Sequence, residues 1–462
     1  MHDKTAGNDF PEKGFGEYCR FVIPQQSRIL MLGCPHPDSL KRLSPSVGVG
    51  VASASAGKCG IDDESAPVVT YHVEDIETFF IAQSFDYIII NSILPDISDV
   101  QRFLGRLLEM STPGTRLIIN SDDSGRGFLV KKPQPRTNAG TGSETCPNRF
   151  SRRDLEIFLA ASGYEVIARR NYLLSPGPVY SRPSIIRWLV ARLPVASRSR
   201  RGCLTVARPH RPPENRQEIS TSVVITCRDE EGNIEALVER IPSLGEKTEI
   251  IFVEGHSVDK TTDKIVEMMR KYPEKDIKIF HQTGKGQGDA FRLGCDRARG
   301  DFLIWLEADL TTPPEEARLI WEAYINGHGE YINGTRFIYP MAPKAMPLLN
   351  NLGNRFFSLL LSLITGRRLT DTLCGFKGIT RAHYLNIVRN PSRFDALDPF
   401  GDFQLILGAV KFNLAIAEVP VHYHPRTYGE PKSYGRSRWG LLRHARILLK
   451  ICRLAFIDFR LR

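Results

Sequence analysis

Two carboxylates separated by one small residue, Glu307-Ala308-Asp309, close the apolar run FLIWL at 302–306. A carboxylate pair at a strand end can hold a divalent cation against a nucleotide diphosphate, because Mg²⁺ and Mn²⁺ favour oxygen ligands shared with substrate phosphates. Such a cation removes the repulsion between Asp309 and a diphosphate and stabilises the departing nucleotide as a Lewis acid. Three further apolar runs end in polar groups: SVVITC in Arg228-Asp229-Glu230, EIIFV in Glu254, and IKIF in the stretch Gln282 to Gly288. Asp229, Glu230 and Glu254 offer acceptors for a base and ribose hydroxyls. In TGKGQGDA, the small residues let backbone amides around Gly286 and the Lys285 ammonium approach base or phosphate closely. Any one of these residues alone reads more readily as a solvated turn or a helix cap. Four in succession match an open α/β sheet, which places its ligand crevice at the carboxyl ends of its strands.

The elements that position these groups alternate along the whole chain. Between strand-like SVVITC and EIIFVEG lies GNIEALVERIPSL, a helical stretch, and the same alternation continues through FLIWLEAD. An earlier series, RILMLG, SVGVGVASA, FDYIIINS and TRLIINS, has ISDVQRFLGRLLEM at helical spacing between its last two runs. Both halves therefore predict mostly parallel sheets covered on both faces. Between them, TVARPHRPPENRQEIS is rich in Pro and Arg and lacks periodicity, as a linker does. The fold class is α/β with two domains. The expected boundaries are 1–207 for the first domain, 208–219 for the linker, 220–432 for the second domain and 433–462 for a basic amphipathic helix.

The ordered set SVVITCRDEEGNIEALVERI, TEIIFVEGHSVDKT, GKGQGDAFRLGCDRARGDFLIWLEADL and YINGTRF resembles the inverting family-two glycosyltransferases. Its nearest likeness is to their polyprenyl- and dolichyl-phosphate mannose synthase-like branch. DTLCGFKGITR, DPFGDFQL and EVPVHYHPRTYGE, with the Lys432 that follows, resemble later landmarks of the same family. The resemblance covers about Ser222 to Lys432. It implies a GT-A (Rossmann-like) fold and a UDP- or GDP-activated sugar donor, with polyprenyl phosphate or another lipid-linked molecule as acceptor. It also implies roles. Asp229 or Glu230, with Glu254, would contact the nucleoside, and Asp309 would bind the metal beside Glu307. Arg336 and Arg426 would hold phosphate, and Arg355 and Lys432 the acceptor phosphate, for which a guanidinium fork is suited. Asp402 would serve as a base or, with an already anionic acceptor, would position it. The chain departs from the pattern at Glu307 and Glu254, where the family usually has Asp, and at Asp229, where it usually has Asn. Altered donor choice or geometry is the expected consequence.

RILMLGCPHPDSLKRLSPSVGVGVASA, FDYIIINSILPDISDVQRFL and TPGTRLIIN resemble a class I S-adenosylmethionine methyltransferase domain, a doubly wound sheet. In that family glycines follow the first strand and an acid ends the second. Here Gly33 is followed by Pro35 and Pro37, and Ala52 or Ser53 stands at the acidic position. Proline fixes φ and removes a donor, so a degenerate domain without S-adenosylmethionine is expected.

A net charge of +10 on 462 residues favours an anionic partner. With no helix-turn-helix, zinc or RNA-binding signature, nucleic acid is not the expected one. Nine cysteines without a Cys-x-x-Cys pair signal neither a zinc site nor a disulfide framework. The opening MHDKTAGNDFPEKGFGEY has no apolar signal segment, so a cytoplasmic protein, peripheral on the membrane face, is expected. FFSLLLSLI from Phe356 is too short to span and reads as a core or an interfacial helix. In WGLLRHARILLKICRLAFIDFRLR, Arg443, Arg446, Lys450 and Arg453 oppose Ala445, Leu448, Leu449, Cys452, Ala455, Phe456 and Phe459. That pattern fits either a helix lying in an anionic membrane interface or one packed on the protein's own core. His422 and His424 share a strand face without a third metal ligand. Two other functions fit the same residues: a bifunctional methyltransferase-glycosyltransferase, and a non-catalytic assembly protein that uses both folds as binding surfaces.

Overall fold

The computed structural model describes residues 13–34, 37–53, 61–62, 67–122, 136–137, 144–145, 151–173, 201–213, 216–341, 345–393, 395, 398–429 and 438–460. Pro35 and Lys432 lie outside the described residues, as does the Arg443 side chain. The chain divides into two compact units, Met1–Arg211 with Arg460–Arg462, and Pro212–Phe459.

The first unit is built on strands β1 Arg28–Leu32, β2 Val47–Ser53, β3 Val68–Val73, β4 Phe85–Asn91, β5 Ser111–Asp122, β6 Tyr164–Leu173 and β7 Arg201–Pro209. In space they run β3-β2-β1-β4-β5-β7-β6, with a two-residue strand at Ile61–Asp62 beside β3. β1 to β5 pair in parallel, whereas β7 is antiparallel to both of its neighbours. The parallel run thus follows the doubly wound order, reversing direction between β1 and β4. Successive side chains of a strand point to opposite faces. Leu30, Leu32, Ile88 and Ile90 accordingly meet Phe103, Leu104 and Leu107 of helix α2 (Val100–Glu109) on one face. Ile29, Met31 and Ile89 meet Phe15, Tyr18 and Val22 of helix α1 (Lys13–Val22) on the other. Burial on both faces is why RILML and FDYIIIN read as nearly unbroken apolar runs.

The second unit repeats the arrangement with β8 Thr221–Cys227, β9 Thr248–Glu254, β10 Asp276–His281 and β11 Phe302–Glu307. It adds three strands, β12 Tyr331–Thr335, β13 Lys377–Thr380 and β14 Ile416–Pro420. The sheet order is β10-β9-β8-β11-β13-β12-β14. β8 to β11 are mutually parallel, β13 is antiparallel to β11 and β12, and β14 is parallel to β12. Helices α3 Arg152–Ala161 in the first unit, and α4 Glu231–Arg240, α5 Thr261–Lys271 and α6 Gln287–Arg297 in the second, come next in chain order. α4 and α5 set Ile234, Leu237, Val238, Ile265 and Met268 against Val223, Ile225, Phe252 and Ile304 of the sheet. β11 lies between β8 and β13, so the Glu307–Asp309 turn leaves the middle of the sheet.

The remaining helices are α7 Ala317–Ile325, α8 Leu348–Thr365, α9 Arg381–Arg389, α10 Asp402–Lys411 and α11 Arg438–Arg460. Of the two readings of the basic helix, the packed one holds for α11. Leu448, Ile451, Cys452, Ala455 and Phe459 are buried, while Arg446, Lys450 and Arg453 are exposed. Its apolar face is therefore not free to enter a bilayer. α8 is the helix with two apolar faces: Phe357, Leu361 and Ile364 are buried, whereas Leu348, Leu349, Leu352, Phe356, Leu359 and Leu363 are exposed. FFSLLLSLI is a core helix and an exposed apolar helix at once.

Candidate active site

Glu307 and Asp309 have different partners although they share one turn. Asp309 is buried; its Oδ1 accepts hydrogen bonds from the Thr311 amide at 3.0 Å and the Thr311 hydroxyl at 2.7 Å. Its Oδ2 accepts from Arg426 Nη2 at 2.8 Å. Glu307 instead accepts from Gln287 Nε2 at 2.6 Å. A β-carbon at residue 375 would stand 2.1 Å from Glu307 Oε1, so only glycine leaves the glutamate its slot. Burial and the neighbouring Asp309 charge push the Glu307 carboxyl above its ordinary range, with Arg336 and Arg426 acting against the rise.

Arg426 joins two strand ends. Its Nη1 donates to Glu230 Oε1 at 2.7 Å, while Nη2 holds Asp309. The other Glu230 oxygen accepts from Asn233 Nδ2 at 2.7 Å. Burial would depress the guanidinium pKa, but Asp309 and Glu230 more than offset it and hold Arg426 charged.

The other acids at the ends of β8 and β9 are bonded to the loop that follows β9. Asp229 takes a positive φ of 51° and accepts from the Val258 amide at 2.7 Å. Glu254 is buried at the end of β9, bonded to the Ser257 amide and 3.1 Å from His281 Nδ1. Burial alone would raise Glu254, yet the Ser257 and His281 contacts keep its carboxyl below the usual range. The Gly-rich stretch packs on another loop: the Gly288 amide donates to the Pro399 carbonyl at 2.9 Å, and a β-carbon at 288 would lie 2.8 Å from the Gly401 nitrogen. Lys285 and Gly286 are exposed beside it.

Arg336 is occupied by a partner that the motifs did not reveal. Its Nε and Nη2 grip Asp371 at 2.7 and 2.8 Å, and both residues are buried. Burial would raise Asp371, but the Arg336 charge outweighs it and keeps the carboxylate ionised. Arg336 therefore acts on Glu307 by charge, with its fork engaged elsewhere. Asp402 opens α10 in the interior, with Lys377 Nζ 2.9 Å from its Oδ1. Burial drives the Asp402 carboxyl up to about 7, with Asp398 and Glu307 adding to the rise and Lys377 opposing it. Removing one member of a buried ion pair strands the other, at a cost of roughly 3–5 kcal/mol. Asp402→Asn is therefore expected to lower the thermal midpoint far more than an exposed substitution such as Arg355→Gln; equal midpoints would refute the pairing.

Arg355 is on α8. It is exposed, donates to Asn351 Oδ1 at 2.9 Å and covers the Phe337 ring at 4.5 Å. His422 stacks on Tyr339 with 4.2 Å between centroids and contacts Glu316, which accounts for it without a metal. Asp371 and Lys377 are the neighbours of these groups that sequence reasoning missed. A lysine inside the apolar CGFKGIT was the available signal, since a buried ammonium needs a carboxylate.

In the first unit the turn after β1 is filled from within. Asn91 Nδ2 donates to the Gly33 carbonyl at 3.3 Å, and Asn120 Nδ2 donates to Asn91 Oδ1 at 2.8 Å. Both asparagines are buried. Pro37 begins a one-turn helix, Pro37–Lys41, a place proline tolerates because its missing amide hydrogen has no partner there.

Residues 222–387 match the family model Glycosyl transferase family 2. The chain is 30% identical over 237 residues to a dolichol-phosphate mannosyltransferase of Pyrococcus furiosus, covering 50% of this chain and 64% of that protein. It is 26% identical over 206 residues to the low-salt glycan biosynthesis hexosyltransferase Agl6 of Haloferax volcanii, covering 44% and 48%. It is 27% identical over 216 residues to an undecaprenyl-phosphate 4-deoxy-4-formamido-L-arabinose transferase of Salmonella paratyphi B, covering 46% and 62%. The chain thus spans between 48% and 64% of the length of these curated relatives. Among solved structures, glucosyl-3-phosphoglycerate synthase of Mycobacterium tuberculosis aligns over 54% of this chain and 86% of its own, at 16% identity and a TM-score of 0.39.

Proposed function

We propose that the second unit is a GT-A glycosyltransferase that moves a hexose, with inversion, from a UDP- or GDP-sugar to polyprenyl phosphate or a related lipid-linked acceptor. The observation that carries this reading is the pair of buried acids, Glu230 and Asp309, converging on one cation at the carboxyl ends of β8 and β11. The family match over 222–387 and the lipid-phosphate relatives support the same chemistry.

Among the described residues no group of three or more His, Cys, Asp or Glu could hold a metal. Mg²⁺ nevertheless binds commonly through one or two carboxylates plus substrate phosphates. The site fits that mode, because its oxygen donors already require a positive charge. Asp309, with Glu307 beside it, would hold Mg²⁺ or Mn²⁺, which would supply Lewis-acid neutralisation of the leaving diphosphate. The chain's own residues do the rest. Glu254, Asp229 and the loop they brace receive the nucleoside. Arg426 offers its fork to phosphate. Arg336 lowers the cost of the Glu307 charge. A phosphate acceptor is already anionic, so Asp402, paired to Lys377, organises the floor of the site and need not take a proton.

The acceptor side is α8. Leu352, Phe356 and Leu359 are 57%, 55% and 60% exposed, and with Leu348, Leu349 and Leu363 they form one stripe at spacings of three and four. Among the described residues no helix is long and apolar enough to cross a membrane. α8 instead suits a helix lying in the interface, with Arg355 available to a lipid phosphate. This reading puts the protein at a membrane surface through α8, in place of α11.

For the first unit, the strand order supports a methyltransferase-like doubly wound domain, and Asn91 closing on Gly33 supports loss of the cofactor turn. A scaffold or partner-binding role follows. One thermal-shift screen tests both units. A UDP- or GDP-sugar with Mn²⁺ should raise the melting temperature, the sugar nucleotide without Mn²⁺ should do so less, and S-adenosylmethionine should give no shift. Silence from every sugar nucleotide would count against the donor site, and a shift with S-adenosylmethionine against the scaffold role.

A further inference from the structure

Asp309 and Glu230 are satisfied in the same way. Each has one carboxylate oxygen bonded locally, to Thr311 and to Asn233 respectively, and gives the other to Arg426. The remaining oxygen of Asp309 is therefore the one a metal needs, and a guanidinium sits on it at 2.8 Å. The side chain of Arg426 is only 17% exposed and those of its two partners 5% and 10%, so water does little to screen the three charges. A divalent cation and Arg426 cannot share Asp309 Oδ2 without severe repulsion.

We propose that Arg426 is a displaceable counter-cation. It occupies the carboxylates while the donor site is empty and passes to the diphosphate when the metal arrives with its nucleotide. The inference rests on the metal-dependent donor site proposed above. Arg426 is on the segment after β14, whereas its partners follow β8 and β11, so its release from Asp309 also unties that segment from the end of β11. Glu230 remains as the pivot. The Nη2 freed from Asp309 then needs an anion, and the diphosphate is the anion delivered in the same event. Metal alone must break an ion pair without replacing it, whereas metal with a nucleoside diphosphate replaces it. Metal and nucleotide therefore bind cooperatively, and reciprocity requires each to tighten the other by the same factor.

The test is Mn²⁺ binding followed by electron paramagnetic resonance on the full-length protein, alone and with UDP or GDP in separate arms. Arg426→Gln should bind Mn²⁺ alone about tenfold more tightly than wild type, within the five- to 150-fold range of such couplings, and its enhancement by nucleotide should shrink. Arg426→Lys keeps the charge but spans only one of the two acids, so it should fall between them. If Arg426→Gln fails to fold, Arg426→Lys decides by tightening Mn²⁺ binding or not. Unchanged or weaker Mn²⁺ binding by these variants overturns the exchange. Asp309→Asn separates this failure from that of the donor site: its loss of nucleotide-assisted Mn²⁺ binding keeps the metal assignment even where the exchange fails. Wild-type Mn²⁺ binding by Asp309→Asn removes the metal assignment and the exchange with it.

Discussion

Asp309→Asn should reduce sugar transfer by about a thousandfold or more while leaving the fold intact. A divalent metal held by Asp309 would stabilise the leaving group by several kcal/mol, and each 1.36 kcal/mol is tenfold in rate. Asparagine retains the Oδ1 acceptor that caps the turn through Thr311, and Arg426 keeps Glu230 as a carboxylate partner, so the thermal midpoint should fall less than that of Asp402→Asn. What it removes is the negative charge at Oδ2, where Arg426 now sits. Rates from a radiolabelled donor, paired with a melting curve, check both halves. A variant that melts normally and transfers normally would show that Asp309 only ends a strand.

The second large effect concerns α8. Replacing Leu352 and Leu359 together by Asp should abolish flotation with anionic vesicles containing polyprenyl phosphate. Each leucine withdrawn from an apolar phase forfeits about 1.5–3 kcal/mol, so the pair weakens binding by at least two orders of magnitude. Both residues are exposed, so the fold has nothing to lose. Transfer to a short, water-soluble acceptor phosphate should persist. Removing α11 is a poor substitute for this experiment, because Ile451 and Ala455 are fully buried and their loss would expose core. Flotation that survives both aspartates would exclude α8 as the membrane face.

What the sequence made legible, and what it hid, follows from the range of the interactions. β8, β9 and β11 are buried on both faces, so SVVITC, EIIFVE and FLIWLE appear as apolar runs whose ends deliver polar groups. Those strand ends carried the donor-site reading. The pairings across the site were hidden because they join residues far apart in the chain. Arg426 is 117 positions from Asp309, and Arg336 is 35 from Asp371, too far for any local spacing rule. The antiparallel strands β12 and β13 were hidden differently: YINGT and KGIT are short, glycine-containing and polar in part, although Asn333 and Lys377 are buried there. Two of the helices show the limit of periodicity. α8 and α11 both carry an apolar stripe, and the pattern cannot say which stripe the protein covers itself. Packing decides it, burying the face of α11 and leaving much of α8 open.

The most direct measurement of the central claim is transfer of radiolabelled hexose from UDP- and GDP-sugars to polyprenyl phosphate in vesicles, with Mn²⁺, by wild type and Asp309→Ala. Wild type should form lipid-linked sugar from one donor class, with none formed without Mn²⁺ and none by Asp309→Ala. Lipid-linked sugar formed equally by both proteins would contradict that claim.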